Sequence, residues 1–301
     1  MAFVPSYISV HQKGELQRRV RLLMESLKEC RLCPRECGVN RLNGEMGYCR
    51  AGSGLMISSA FPHFGEESPL VGNHGSGTVF LTHCNLRCVF CQNDDISHQG
   101  KGESVTLSEM AKAMVRLQEI GCHNINLVTP THYAAQIVAS LPEAIELGLR
   151  VPIVYNCSGY ESIEVVKLLE GIVDIYMPDA KLMDEHYAKR FFNAPDYPEV
   201  LKKVLREMFR QVGDLDIDPT GIARRGLLIR HLVMPGNVAT SEAILKFIAE
   251  DLSVHSYVNI MAQYRPEFGA QEYPEISRRI TPKEYTEAIQ IAKRYRLYRG
   301  F

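Results

Sequence analysis

From Thr78 onward, short, continuously apolar runs alternate with segments of helical period, and this alternation restricts the chain more than any other feature. The runs are "TVFLT", "NINLV", "VPIVYN", "VDIYMP", "GLLIRHLVMP" and "YVNIMAQY". The segments around them include "SEMAKAMVRLQEIG", "YAAQIVASLPEAIELG", "SIEVVKLLEG", "PEVLKKVLREMFRQVG", "SEAILKFIAEDL" and "TPKEYTEAIQIAKRY". A run apolar at nearly every position is a strand covered on both faces, and an amphipathic helix between two such strands makes a right-handed βαβ unit. Six units are too few to close the usual eight-stranded barrel but enough for an open one. The expected fold is therefore α/β: a partial (open) parallel β/α barrel of about six βα units over residues 77–301. A length of 301 residues fits one such principal domain.

Ahead of the barrel, Leu16, Val20, Leu23 and Leu27 fall at helical spacing and predict a small amphipathic helix packed on it. Residues 30–76 are rich in Gly, Cys and Pro without a period, which predicts an irregular Cys-rich lobe and places the N-terminal unit at 1–76. "DLDIDPTGIARRG" reads as an exposed loop. A net charge of −1 supplies no general positive face for nucleic acid or a membrane surface. "MAFVPSYISVHQKGE" lacks the basic flank and apolar run of a signal peptide, so a soluble, cytoplasmic protein is expected. Nine cysteines, an odd number, fit metal ligation in a reducing compartment better than a disulfide framework.

Three of those cysteines stand in "CNLRCVFC", where Cys84, Cys88 and Cys91 form C-x3-C-x2-C in the loop after the first barrel strand. In barrels of this kind the chemistry sits at the C-terminal strand ends. A structural zinc site closes its tetrahedron with four ligands, whereas a site short of one keeps a position open for chemistry. Three thiolates can hold three irons of a four-iron cluster and leave the fourth open. A zinc site completed by His83 is the alternative, and it would leave Phe90 and the strand-end location without purpose.

With Phe90 as its aromatic position, the motif resembles the C-x3-C-x-φ-C signature of the radical S-adenosylmethionine superfamily. "GSGTVFLTHCNLRCVFCQN" and "CRLCPRECGVNRLNGEMGYCRAG" further resemble the pyruvate formate-lyase activating enzymes and a branch related to them. The resemblance implies a [4Fe-4S] cluster on Cys84, Cys88 and Cys91, with S-adenosylmethionine chelating the open iron. It also implies one-electron cleavage to a 5′-deoxyadenosyl radical. "TPTH" stands where the activating enzymes have a Gly-Gly-Glu segment, so Thr129 and Thr131 would hold the methionyl amine. "NCSG" would bring Asn156 and Ser158 to the ribose or to a monovalent cation, which Asp179 of "PDAK" would help hold. Lys181 and Arg230 would face the cofactor carboxylate. Tyr264 and Arg265, after the last strand, would lie on the substrate side. By the same resemblance the substrate is a protein or peptide, such as a glycyl-radical enzyme, and the electron donor a flavodoxin or ferredoxin. Modification of a small molecule or of RNA is the alternative if the N-terminal lobe plugs the barrel mouth. An iron–sulfur electron-transfer protein that makes no radical is another.

Cys30, Cys33, Cys37 and Cys49 form a second group, C-x2-C-x3-C-x11-C, whose four thiolates can close a structural zinc site or hold an auxiliary iron–sulfur cluster. Cys122 and Cys157 read as small core or strand-end residues. His132 and His231 fall at strand ends, where a hydrogen-bonded structural role competes with a catalytic one.

Overall fold

The computed structural model describes residues 3–301. Among these residues the chain forms nine strands: β1 (Leu55–His63), β2 (Ser76–Leu81), β3 (Glu103–Val105), β4 (Ile125–Val128), β5 (Ile153–Cys157), β6 (Ile175–Pro178), β7 (Asp216–Ile217), β8 (Ala223–Leu232) and β9 (Tyr257–Met261). β2, β4, β5, β6, β8 and β9 pair in that order, each parallel to the next. These are the six apolar runs of the sequence, and a helix follows each. β9 pairs with β8 alone, so the two ends of the sheet do not meet and the barrel is open and partial.

The helices form for local reasons that packing then exploits. Leu107–Glu119 starts in a capping box: Thr106 Oγ1 accepts from the Glu109 amide at 3.1 Å, and the Glu109 carboxylate accepts from the Thr106 amide at 2.7 Å. Met110, Met114 and Leu117 then recur on one face and are buried. On Tyr197–Val212 the buried stripe is Leu201, Val204, Leu205 and Met208, each adding roughly 1.5–3 kcal/mol by leaving water.

Strand alternation divides the core in two. Tyr155 and Tyr176 join the large cluster shared with the helices, whereas Val154, Ile175, Met177 and Leu228 face the inside of the sheet and form a smaller one. Leu70, from the short helix Ser68–Val71, completes that inner cluster. Gly226, at φ +127° in β8, is required by close approach, because a Cβ there would run into the Asp214 backbone.

The N-terminal helix Glu15–Glu25 buries Leu16 and Leu23 and packs on Ala134–Glu146, with Leu27 buried in the 3₁₀ turn that follows. Residues 29–54 are irregular apart from the turn Arg41–Asn43, as the composition implies. The irregular stretch expected over 30–76 stops there, because β1 and the short helix Ser68–Val71 occupy its second half. β1 pairs antiparallel with β2, and β3 pairs with β1, so the sheet extends past its parallel part. The "DLDIDPTGIARRG" segment is likewise a hairpin and not a free loop: β7 pairs with β8, and the Asp218 carboxylate gathers Thr220, Ile222 and Arg224. Among the described residues no helix is long and apolar enough to cross a membrane.

Candidate functional site

The loop leaving β2 turns through two left-handed residues, His83 at φ +65° and Arg87 at φ +54°. Its thiols are held from several sides. The Leu86 amide donates to Cys84 Sγ at 3.3 Å, and Ser97 Oγ lies 3.0 Å from Cys91 Sγ. Asn85 Nδ2 donates to the Tyr160 carbonyl at 2.7 Å, and the Val89 amide to the Phe191 carbonyl at 3.0 Å. Phe90 is wedged edge-on against Phe192 and Tyr264, with ring centroids 5.8 and 5.9 Å away. Burial raises the Cys84 and Cys88 thiols above their ordinary range, an effect that a bound metal would reverse.

A cavity of about 260 Å³ opens from these thiols across the C-terminal strand ends. Cys84, Cys88, Phe90 and Cys91 line it together with Thr129, Asn156, Ser158, Asp179, Lys181 and Arg230. Thr129 reaches it by a left-handed backbone, φ +60°, with its amide on the Asn156 carbonyl at 2.9 Å. Cys157, read as a plain strand-end residue, is buried and also forms part of the wall.

Part of the cavity wall is an ion network. Lys181 Nζ donates to Asp179 Oδ2 at 2.7 Å, Arg230 Nε to Asp179 Oδ1 at 2.7 Å, and Arg230 Nη2 to Asn156 Oδ1 at 2.8 Å. Burial pushes the Asp179 carboxyl up, but Arg230 and Lys181 outweigh it and hold the group below the usual carboxylate range. Both Asp179 oxygens are thus taken by cationic side chains.

The structure does not bring three of the expected residues to this cavity. Thr131 is fully buried, and its hydroxyl donates to Glu161 Oε1 at 2.8 Å, because Pro130 and the 3₁₀ turn Thr131–Tyr133 carry it behind the strand end. Tyr264 is buried behind Phe90, donating to the Ile276 carbonyl at 2.7 Å, and it is the neighbouring Gln263 that lines the cavity. Arg265 is exposed and lies off the cavity wall. His132 and His231 are also structural: His132 Nε2 lies 2.8 Å from the Thr82 carbonyl, and His231 bridges the Ala180 carbonyl and Ser241 Oγ at 2.9 and 2.8 Å. Burial drives their pKa values down to about 3 and about 4, so both are neutral.

Sequence reasoning missed a group beneath the network. Glu66 Oε2 lies 3.6 Å from Arg230 Nη1, and Glu67 Oε1 accepts from Asn259 Nδ2 at 2.8 Å. Both carboxylates come from the connection between β1 and β2, so an N-terminal segment reaches β8 and β9 from the opposite end of the open sheet. The adjacent acidic pair in "HFGEES" was the only signal, and it carried no spacing that points to a site. Gln92 Nε2 makes a second bridge, donating to the Gln263 carbonyl at 3.2 Å.

Among the described residues no three His, Cys, Asp or Glu side chains stand closely enough to hold a single metal ion. Cys84, Cys88 and Cys91 have the donor chemistry of an iron–sulfur cluster site: they are three thiols on one loop, served by N–H and O–H donors and facing a cavity with charged lining.

A sequence model of the Radical SAM superfamily matches residues 78–248. The chain is also 33% identical over 292 residues to the uncharacterized protein MJ0674 of Methanocaldococcus jannaschii, an alignment covering 94% of this chain and 79% of that one.

Proposed function

The chain belongs to the radical SAM superfamily, and from that premise we propose that it abstracts a hydrogen atom from a polypeptide substrate, as the activating enzymes do. The family implies a [4Fe-4S] cluster and S-adenosylmethionine, and residues 78–248 support the generic radical SAM reaction. When bound, the two supply a one-electron reductive cleavage that yields a 5′-deoxyadenosyl radical. The chain's own residues supply placement. Cys84, Cys88 and Cys91 hold the cluster at the cavity end, and Phe90 fixes their loop by packing against Phe192 and Tyr264. Lys181 and Arg230 take the cofactor carboxylate, easing their hold on Asp179, while Thr129, Asn156 and Ser158 supply polar contacts along the wall. A one-electron donor of flavodoxin or ferredoxin type supplies the reducing equivalent. The four N-terminal cysteines take a second metal, zinc or an iron–sulfur cluster.

One observation carries this reading: three thiols open onto a single cavity that the Asp179–Lys181–Arg230 network also lines. The polypeptide class is supported by exposed aromatic rings on either side of the cavity. Phe61 stacks on the cavity residue Phe80, and Phe268 packs on His98, next to the cavity residue Ser97. A small-molecule substrate is the second reading, favoured by the Glu66–Arg230 and Glu67–Asn259 contacts, which bring the N-terminal segment across the barrel opening.

The test is 5′-deoxyadenosine release by the reduced, reconstituted protein, with and without the two size fractions of an anaerobic extract. Stimulation by the large fraction, abolished by protease, is the expected result. Stimulation by the small-molecule filtrate alone would transfer the assignment to the second reading, and no 5′-deoxyadenosine under any condition would refute both.

A further inference from the structure

The two cysteine groups are joined by a single side chain. Arg35 lies between Cys33 and Cys37, and its guanidinium leaves the lobe to grip four backbone carbonyls elsewhere. Arg35 Nε donates to the Asn85 carbonyl at 3.1 Å and Nη2 to the Leu86 carbonyl at 3.4 Å, both inside the Cys84–Cys91 loop. Nη2 also donates to the Phe192 carbonyl at 2.7 Å, and Nη1 to the Asn193 carbonyl. Phe191, just before these last two residues, receives the Val89 amide, so Arg35 spans the same two segments that this backbone bond joins.

The guanidinium is itself clamped. Its central carbon lies 3.8 Å from the ring centroid of Tyr48 and 5.1 Å from that of Tyr160. Tyr48 adjoins Cys49, its amide donates to Cys37 Sγ at 3.3 Å, and its hydroxyl donates to the Phe192 carbonyl at 3.4 Å. The cysteines therefore bracket the residue that grips the catalytic loop and the ring that clamps it: Cys33 and Cys37 enclose Arg35, and Cys37 and Cys49 hold Tyr48 on either side. Cys30 belongs to the same cluster, with its sulfur 4.0 Å from buried Arg41 Nη1, while the Arg41 guanidinium bonds the Gly52 and His132 carbonyls. Leu32, Cys49 and Ala51 tie the lobe into the main core, but Arg35 and Tyr48 themselves are only half-buried and Cys37 is exposed, so burial alone does not fix the two gripping side chains.

We propose that a metal centre on Cys30, Cys33, Cys37 and Cys49, whose thiols must draw together to close on it, braces the Cys84–Cys91 loop through Arg35 and Tyr48, so that the catalytic cluster assembles on a loop held from the lobe. Four thiolates around metal would tie "CPREC" to "GYC". That closure orders Arg35 and Tyr48 and so lowers the conformational entropy that the Arg35 contacts with the loop must offset. Arg35 is a positioning residue, because it touches no cofactor and acts on the Asn85 and Leu86 backbone. The proposal deepens the functional reading and rests on it only for what the braced loop holds.

The experiment uses the full chain purified anaerobically. Zinc and iron are measured in a Cys84→Ala/Cys88→Ala/Cys91→Ala variant, and amide hydrogen exchange is followed across residues 84–91 in the otherwise native chain, in Arg35→Gln and in Cys37→Ser. The triple variant is expected to retain zinc or iron, and which of the two identifies the centre. Arg35→Gln is expected to keep that metal yet exchange at least about tenfold faster around Val89, a lower protection than Arg35 maintains. Cys37→Ser is expected to lose the metal and show the same loosening, although Cys37 touches no residue of the loop. Neither metal in the triple variant would overturn the second centre. Unchanged exchange in Arg35→Gln would overturn the brace, and that variant decides even if Cys37→Ser does not fold. Neither readout requires S-adenosylmethionine cleavage, so a wild type that makes no 5′-deoxyadenosine would count against the functional reading and leave this result standing.

Discussion

The two cysteine groups have opposite surroundings. Cys84, Cys88 and Cys91 open onto a cavity they share with Asp179, Lys181 and Arg230, where charge can meet a charged ligand. Cys30, Cys33, Cys37 and Cys49 line no such cavity and are surrounded by Arg35, Arg41, Tyr48 and backbone donors, which fix positions. Three thiols beside free space suit a reaction, and four thiols among gripping side chains suit a brace. Cysteine number alone would not separate the roles. The side chains around each group do.

The sharpest way to break this comparison is to remove one group and ask what the other still does. In the Cys84→Ala/Cys88→Ala/Cys91→Ala variant, 5′-deoxyadenosine formation is expected to fall to background. Release at the wild-type rate would place the reactive centre at the N-terminal group and reverse the contrast.

Next in size is the charged wall. Asp179→Ala leaves Lys181 and Arg230, each about four-fifths buried, facing one another without their shared counter-ion. Breaking a buried pair from one side typically costs about 3–5 kcal/mol, and residual solvent access puts this case near the lower figure. Denaturant unfolding of the apo-protein reads it directly. A change below about 1 kcal/mol would mean that the network exists for the ligand and not for the fold.

A third test concerns Glu161, which holds Thr131 away from the cavity. Burial raises its carboxyl to about 7, against the hydrogen bonds from Thr131 and from Tyr155 Oη at 3.1 Å. A carboxyl whose folded pKa exceeds its unfolded value binds more protons when folded, so its contribution is fully present below about pH 4.5 and is lost as pH rises through about 7. At about 1.4 kcal/mol per unit, the wild type should lose roughly 3 kcal/mol from this group across that window. Glu161→Gln can still meet both hydroxyls and should show a flatter profile, gaining on the wild type at pH 8. Parallel profiles for the two proteins would sink the assignment.

Much of this architecture was legible because it is local. The six parallel strands announce themselves as apolar runs buried on both faces, and the Cys84–Cys91 loop follows the first of them. β1 was hidden for a physical reason. It lies in the antiparallel part of the sheet, only Leu55 and Ile57 have buried side chains at its start, and Ser58, Ser59 and Pro62 dilute the pattern. Strand-end position also says which residues are near a site without saying where each points. Thr129 and Thr131 are two residues apart, yet a left-handed turn at Thr129 and the 3₁₀ turn after it send one to the cavity and the other to Glu161. Glu66 and Arg35 act across more than 150 and about 50 positions of sequence respectively, and no spacing rule reaches that far.

The smallest effect separates support from substrate contact at Tyr264. Its ring, 2% exposed, meets Phe90 edge-on, and its hydroxyl donates to the Ile276 carbonyl at 2.7 Å. Tyr264→Phe keeps the ring and so keeps Phe90 and the cysteine loop in place. What it removes is one neutral hydrogen bond to a carbonyl whose loop can relax, a loss of about 1 kcal/mol in unfolding free energy. Because the hydroxyl faces away from the cavity, S-adenosylmethionine cleavage and hydrogen transfer should proceed at the wild-type rate. A variant that unfolds like the wild type but no longer transfers hydrogen would put the hydroxyl at the substrate. The loop after β9 would then belong to the reactive side of the comparison and not to its support.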